Sequence, residues 1–206
     1  MKLNGAATVK AGLVAMVLAI TGCAQPPTEQ FEVAARAVEA AKPAGAPEYD
    51  GEDFAKLEQQ FALVKDELKK QEEVLSIFRS YTDAERQLKQ VVTTGQQVEV
   101  VAAQKKESAK AAAIAMEKEA QAVMDSAKKL MVNAPTGKER AAVQVIQQDL
   151  EGLEKSLSAM HQLIENGDYL AAEIEGKAIK EKGSAVSGEI QSAIDKTKGK
   201  KPRAHA

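Results

Sequence analysis

The sequence predicts an all-α protein: an elongated antiparallel helical bundle or coiled coil, arranged as two three-helix units joined by a long shared helix. Three observations carry that expectation. From Thr28 onward, apolar residues recur at spacings of three and four in every substantial segment, and no strand-like alternation interrupts them. Ala, Glu, Lys and Gln, all strong helix formers, dominate the chain. Aromatic residues make up only 3% of its 206 residues and Trp is absent, which favours thin bundles over a deep globular core.

The bulk numbers also exclude chemistry. One cysteine and two histidines leave no internal disulfide, no zinc spacing and no Cys/His dyad. Formal net charge is −2. Residues 1–22 hold two of the 28 basic groups, Lys2 and Lys10, and none of the 30 acidic ones, so the remainder carries −4. Nucleic-acid binding has no electrostatic support in such a chain.

The chain opens with a basic stretch to Lys10, then the ten-residue apolar run Ala11 to Ile20. Ten residues cannot span a hydrocarbon core about 30 Å thick, which needs roughly 20. A basic start, a short apolar run and small residues after it form the pattern of an export signal. Ile20-Thr21-Gly22-Cys23 follows and resembles the lipobox of bacterial lipoprotein precursors, with Ile20 where that family usually carries Leu. The resemblance implies that residues 1–22 are a signal peptide whose peptidase reads Ile20, Thr21 and Gly22. It also implies that Cys23 becomes the acylated first residue, a covalent lipid being the only attached group and no cofactor being expected. Read without the resemblance, Cys23 could be a free thiol behind an ordinary secretory signal. Several acyl chains, at about 0.8 kcal/mol per buried methylene, hold a protein stably on a membrane. Ala24 and Gln25 stand where an Asp would follow the cysteine, which by the sorting pattern of two-membrane bacteria points to the outer membrane, facing the periplasm. Pro26 and Pro27 favour extended chain, so residues 23–28 read as a lipidated tether.

Thr28 can cap a first helix over about 29–42, which Pro43, Gly45 and Pro47 end. Asp50 can cap a second, from Gly51 to about Arg79. Phe54, Leu57, Phe61, Val64, Leu68, Leu75 and Phe78 form its heptad seam, broken at Gln71. Thr82 with Glu85 makes a capping box for a third helix running to Met131, with an interruption or bend expected near Thr93-Thr94-Gly95. Its second half carries a seam of small residues: Ala109, Ala113, Met116, Ala120, Val123, Ala127 and Leu130. Asn133-Ala134-Pro135 breaks the chain, and Thr136 with Glu139 forms another capping box. The next helix has the cleanest seam, Val143, Ile146, Leu150, Leu153, Leu157, Met160 and Ile164. Asn166-Gly167 ends it, and Asp168 can cap a last helix to about Lys196, in which Gly176, Gly183 and Gly188 each cost about 1 kcal/mol relative to Ala. The helical body is thus residues 29–196, followed by a basic, disordered tail over 197–206.

Sliding the chain by 88 residues aligns Ala46-Pro47 with Ala134-Pro135, Tyr81 with Tyr169, and Gly95 with Gly183, while the seams of the two long helices align better at 89. The offset of 88 suggests an internal duplication over about 29–108 and 109–196, and the seams' preference for 89 runs against it. Ala35-Arg36-Ala37-Val38 through the Ala-Pro break, and Asn166-Gly167-Asp168-Tyr169 with Ala171-Ala172, resemble an uncharacterised alanine-rich helical family of bacterial envelope lipoproteins, for which no activity is implied.

Chemistry-bearing features are sparse. His161 lies beside the seam with no cysteine or second histidine near it in sequence, so no metal site is expected. Carboxylates fall on polar helix faces, where they read as solvated charge with i,i+4 partners. No phosphate-cradling loop or nucleophile elbow occurs, and the expectation is that the protein is not an enzyme, with no catalytic residues. Lys196, Lys198, Lys200, Lys201 and Arg203 form a terminal basic run that reads either as solvated tail or as a contact for anionic surfaces. The leading expectation is a membrane-anchored structural or interaction scaffold, with envelope proteins or peptidoglycan as partners and no nucleic acid. A helical binding module for a small apolar ligand or lipid is the alternative. Self-association into a homo-oligomer through the seams is a third reading.

Overall fold

The computed structural model describes residues 24–134 and 140–198. Six helices follow in order: α1 (Thr28–Ala41), α2 (Ala46–Tyr49), α3 (Gly51–Glu73), α4 (Thr82–Met131), α5 (Arg140–Asn166) and α6 (Tyr169–Lys198), with a single 3-10 turn at Ser76–Phe78. No strand occurs among the described residues, and the protein is an all-α bundle. The capping box at Thr136 and Glu139 lies outside the described residues.

α4 holds the fold together. Its 50 residues form one helix, about 75 Å long at about 1.5 Å per residue. The interruption expected at Thr93-Thr94-Gly95 does not occur. Thr93 Oγ1 donates to the Lys89 carbonyl at 3.1 Å, satisfying the hydroxyl within the helix, and Gly95 is buried against α1.

Two separate cores sit along this helix. The first joins Ala34 and Val38 of α1, Phe54, Leu57, Phe61 and Val64 of α3, and Leu88, Val91 and Val98 of α4. The second joins Ala113, Ala120, Met124 and Ala127 of α4 to Ile146, Leu150, Leu153 and Met160 of α5 and to Ile179, Val186 and Ile190 of α6. Each buried Val, Leu, Ile or Met contributes about 1.5–3 kcal/mol, an alanine methyl far less.

Burial repeats between the two cores. The first half of α4 matches α6, with Ala84 answering Ala172, Val91 answering Ile179, Gly95 answering Gly183 and Val98 answering Val186. α3 matches α5 one residue further on: Leu57 answers Ile146, Phe61 answers Leu150 and Val64 answers Leu153. α1 in turn matches the second half of α4, as Ala34 to Ala120, Val38 to Met124 and Ala41 to Ala127. The difference between offsets of 88 and 89 lies in the connections. α5 turns into α6 through Gly167 and Asp168 alone, whereas eight residues, 74–81, join α3 to α4.

The first and third helices of each unit approach closely at a glycine. A Cβ on Gly95 would stand 3.0 Å from the Cβ of Ala37 and 3.2 Å from its carbonyl carbon and oxygen. A Cβ on Gly183 would stand 2.7 Å from Cγ1 of Val123. From sequence Gly183 counts only as a helix penalty; in the fold it is what lets α6 reach α4. Gly188 faces open space and retains only the penalty.

Several local expectations are corrected. α3 ends at Glu73 rather than near Arg79, because Val74 turns to extended backbone and two side chains close the helix behind it. Arg79 donates from Nε to the Val74 carbonyl at 2.9 Å and from its terminal nitrogen to the Glu72 carbonyl at 2.8 Å. The Ser80 N–H donates to Gln71 Oε1 at 3.0 Å. Carbonyls left without helical partners are thereby satisfied, and Gln71, the break in the seam, serves as a stop. Leu75 and Phe78 consequently leave the seam and are exposed. The expected caps also differ. Thr28 and Thr82 are the first residues of their helices, Asp50 makes no side-chain cap bond, and its carboxylate pairs with Lys105 instead. Gly167, at φ +88°, ends α5 in a Schellman arrangement: its N–H donates to the Ile164 carbonyl, and that of Asp168 to the Leu163 carbonyl.

Gly95→Ala is expected to destabilise the protein by about 1–3 kcal/mol, since backbone of Ala37 must move to admit the methyl. Gly188→Ala is expected to stabilise it by about 0.5–1 kcal/mol. Urea unfolding followed by circular dichroism measures both, and equal effects at the two positions would contradict the close approach.

Candidate functional site

The described residues place Pro26 and Pro27 at one end of the rod, Lys196 and Lys198 at the other, and a polar contact at the junction between its units. Ile20, Thr21, Gly22 and Cys23 lie outside the described residues. The chain that follows them is described from Ala24, and Pro27 is buried. Pro26 and Pro27 line an open cleft of about 520 Å³ together with Phe31 of α1, Leu68 and Glu72 of α3, and Tyr81 before α4. Pro26 and Pro27 therefore lie at the end where α1 starts, α3 stops and α4 starts. Phe31 stacks on Phe61 with ring centroids 5.1 Å apart, and Lys65 Nζ lies 4.3 Å above the Phe61 ring, fixing α1 to α3 just below this end.

At the opposite end of α4, Ala127 packs in the second core with Ile146 of α5 and Ile190 and Ile194 of α6. Lys196 is exposed on the last turn of α6, and Lys198 ends that helix. Lys200, Lys201 and Arg203 lie outside the described residues. The first members of the basic run thus stand at the end of the rod remote from Pro26 and Pro27.

The junction of the two units is polar. Asp50, 6% exposed, is the buried charged residue of the protein's described part, and it pairs with Lys105 of α4. Next to it, the Tyr49 hydroxyl donates to the Gly167 carbonyl at 3.2 Å, joining the turn before α3 to the turn after α5. Burial pushes the Tyr49 hydroxyl above its ordinary range, with the Glu48 carboxylate adding to the effect.

His161 bridges helices on the surface of the second unit. Its Nδ1 lies 2.8 Å from Glu117 Oε1 of α4, and its Nε2 lies 3.4 Å from Glu165 Oε1 on its own helix. The hydrogen bond to Glu117 raises its pKa above the usual histidine value, and the charges of Glu117 and Glu165 push the same way. The other inter-helix pairs, Lys128–Glu154, Lys180–Glu119 and Lys182–Asp149, are also largely solvated and contribute little each.

Among the described residues no group of three or more His, Cys, Asp or Glu side chains could hold a metal ion. No helix among them is long and apolar enough to cross a membrane. The clefts are open grooves, such as one of about 670 Å³ between α5 and α6 bordered by Val145, Ile146 and Gly188.

Sequence reasoning missed one feature of this surface. Leu75, Ile77 and Phe78, at 71%, 75% and 70% exposure, crown the connection between α3 and α4. Ile77 falls off the heptad spacing and Gln71 breaks the seam before it, which together were the available signal. The equivalent stretch of the second unit behaves differently, since Leu163, Ile164 and Tyr169 pack onto the second core.

Comparison with known proteins finds no match to this chain among family models, curated proteins or solved structures.

A histidine whose pKa is raised on folding contributes stability below its unfolded pKa and loses it as pH rises through the folded value. The link between α4 and α5 is therefore expected to weaken on the alkaline side of the usual histidine value. NMR titration of His161 should give a pKa above that value and return toward it in Glu117→Gln. Identical titrations in both proteins would refute the assignment.

Proposed function

We propose that the protein is a lipid-anchored spacer of the bacterial cell envelope, a structural scaffold with no catalytic role. Acyl chains on Cys23 hold it to a membrane, and the residues after the cysteine favour the outer membrane with the body in the periplasm. The observation that carries the reading is the arrangement of ends: Pro26 and Pro27, which follow Cys23, and Lys196 and Lys198, which begin the basic run, stand at opposite ends of a helix about 75 Å long. A rod so built keeps its basic end at a fixed distance from the lipid surface. Lys196, Lys198, Lys200, Lys201 and Arg203 there meet an anionic envelope polymer such as peptidoglycan, or an acidic face of an envelope protein. The resemblance of Ile20 to Cys23 to a lipobox and of the body to alanine-rich envelope lipoproteins supports the same reading. The open clefts give a small apolar ligand no enclosed cavity among the described residues, so the carrier alternative draws no support from them.

Metabolic labelling with a palmitate analogue tests the anchor. Wild type is expected to be labelled and to sediment with membranes, whereas Cys23→Ala loses the label. Equal labelling of the two would overturn the anchor. Binding of the purified protein to isolated cell walls tests the far end. It is expected to fall as salt is raised and to weaken several-fold when the five basic residues are replaced by Gln, with unchanged binding counting against the contact.

A further inference from the structure

The exposed apolar turn between α3 and α4 has no partner among the described residues, and its position assigns it one. Leu75, Ile77 and Phe78 fall within four residues, and all three project most of their surface into solvent. Exposed leucines scattered over a surface need no explanation, but a cluster of large side chains at the tip of a molecule marks a contact surface. The turn is held in this form from behind. Arg79 binds the Val74 and Glu72 carbonyls, and Gln71 binds the Ser80 N–H, so the backbone groups are satisfied while the apolar side chains are left outside.

The turn lies between Glu72 and Tyr81, and these two residues border the same cleft as Pro26 and Pro27. Cys23 is three residues before Pro26, so at most about 3.5 Å per residue keeps it within roughly 10 Å of that cleft. Whatever surface holds Cys23 therefore faces the turn. At the corresponding connection of the second unit, farther along the rod, the chain closes in two residues, and Leu163, Ile164 and Tyr169 pack inward while Leu170 is left partly exposed. The apolar tip occurs at the tethered end and is absent from its counterpart.

We propose that Leu75, Ile77 and Phe78 insert into the lipid surface beside the acylated N-terminus, giving the rod a second point of attachment. The inference rests on the anchor proposed above. A single flexible tether leaves a rod free to tilt; a second contact at the same end orients it, so that α4 stands away from the membrane and the basic end is carried outward. Charge around the turn is mixed, Lys69, Lys70 and Arg79 against Glu72, Glu73 and Asp83. Insertion is thus driven by apolar burial at the level where headgroups meet acyl chains, and it persists on uncharged lipids and at high salt.

The sequence contains no tryptophan, so F78W supplies a single fluorophore at the tip. V100W, at an exposed position 18 residues along α4 from Thr82, serves as control about 27 Å from the tip. Both proteins are isolated in acylated form and incorporated into phosphatidylcholine vesicles. F78W is expected to emit to the blue of its detergent-free aqueous spectrum and to be quenched by lipids brominated near the headgroup more than by lipids brominated deep in the chain. V100W should keep an aqueous spectrum, and L75S with I77S in the F78W background should abolish the shift. An aqueous F78W spectrum on acylated protein that floats with the vesicles would overturn the insertion while leaving the anchor standing. A shift in native envelope membranes but not in protein-free vesicles would also overturn it and indicate a protein partner. Should the protein carry no acyl chain, the anchor fails, and the same vesicles still decide the tip: a blue shift supports it and its absence overturns it.

Discussion

Everything in this fold depends on α4 remaining one helix while serving two cores in succession. A helix of 50 residues cannot bury its own apolar stripe, and the chain solves this by wrapping α1, α2 and α3 on its first half and α5 and α6 on its second. Along the second half the buried residues are Ala113, Ala120, Met124 and Ala127. Small side chains bury little apolar area per turn, so stability requires close approach rather than bulk. Gly95 against Ala37 and Gly183 against Val123 supply that approach in the two units. Larger residues on α3 and α5, such as Leu57, Phe61, Leu150 and Leu153, fill the remaining space from the other side.

Electrostatics plays a secondary part. Most ion pairs join solvated side chains within a helix or across neighbouring ones and contribute modestly. The exception is Asp50, whose carboxylate is nearly buried where the first unit ends and finds Lys105 on α4. An unpaired carboxylate there would be costly. Together with Tyr49 donating to the Gly167 carbonyl, this pair sits where the two units meet, so the rod is stiffened at its joint by specific polar contacts rather than by a third core.

The two units resemble one another in which positions are buried, yet they close differently at their equivalent turns. That difference concentrates the asymmetry of the molecule at the end where α1 and α4 start: prolines leading in, an apolar turn beside them, and mixed charge around both. The remote end carries lysines and packs its isoleucines inward. An elongated helical body with unlike ends is suited to holding things at a set separation, since a continuous helix transmits position without needing a cleft or a catalytic group.

Much of this was legible in sequence. Much of the seams of α4 and α5 came through, Ala113, Ala120 and Ala127 in one and Ile146, Leu150, Leu153 and Met160 in the other, because helical periodicity is a local property of the chain, although α4 buries Met124 more fully than the expected Val123. The turn at Gly167 was readable for the same reason. The end of α3 was not: Leu75 and Phe78 keep the heptad spacing, and only Arg79, reaching back to Val74 and Glu72, and Gln71, accepting from Ser80 ahead of it, decide that the helix stops at Glu73. Nor was the role of Gly183, which from sequence is a defect and in the fold is a contact. The sequence by itself determined where helices form and which face of each is apolar. Tertiary packing alone decided which apolar residues found a core and which, like Leu75, Ile77 and Phe78, were left facing outward, because burial depends on what stands opposite and not on spacing along the chain.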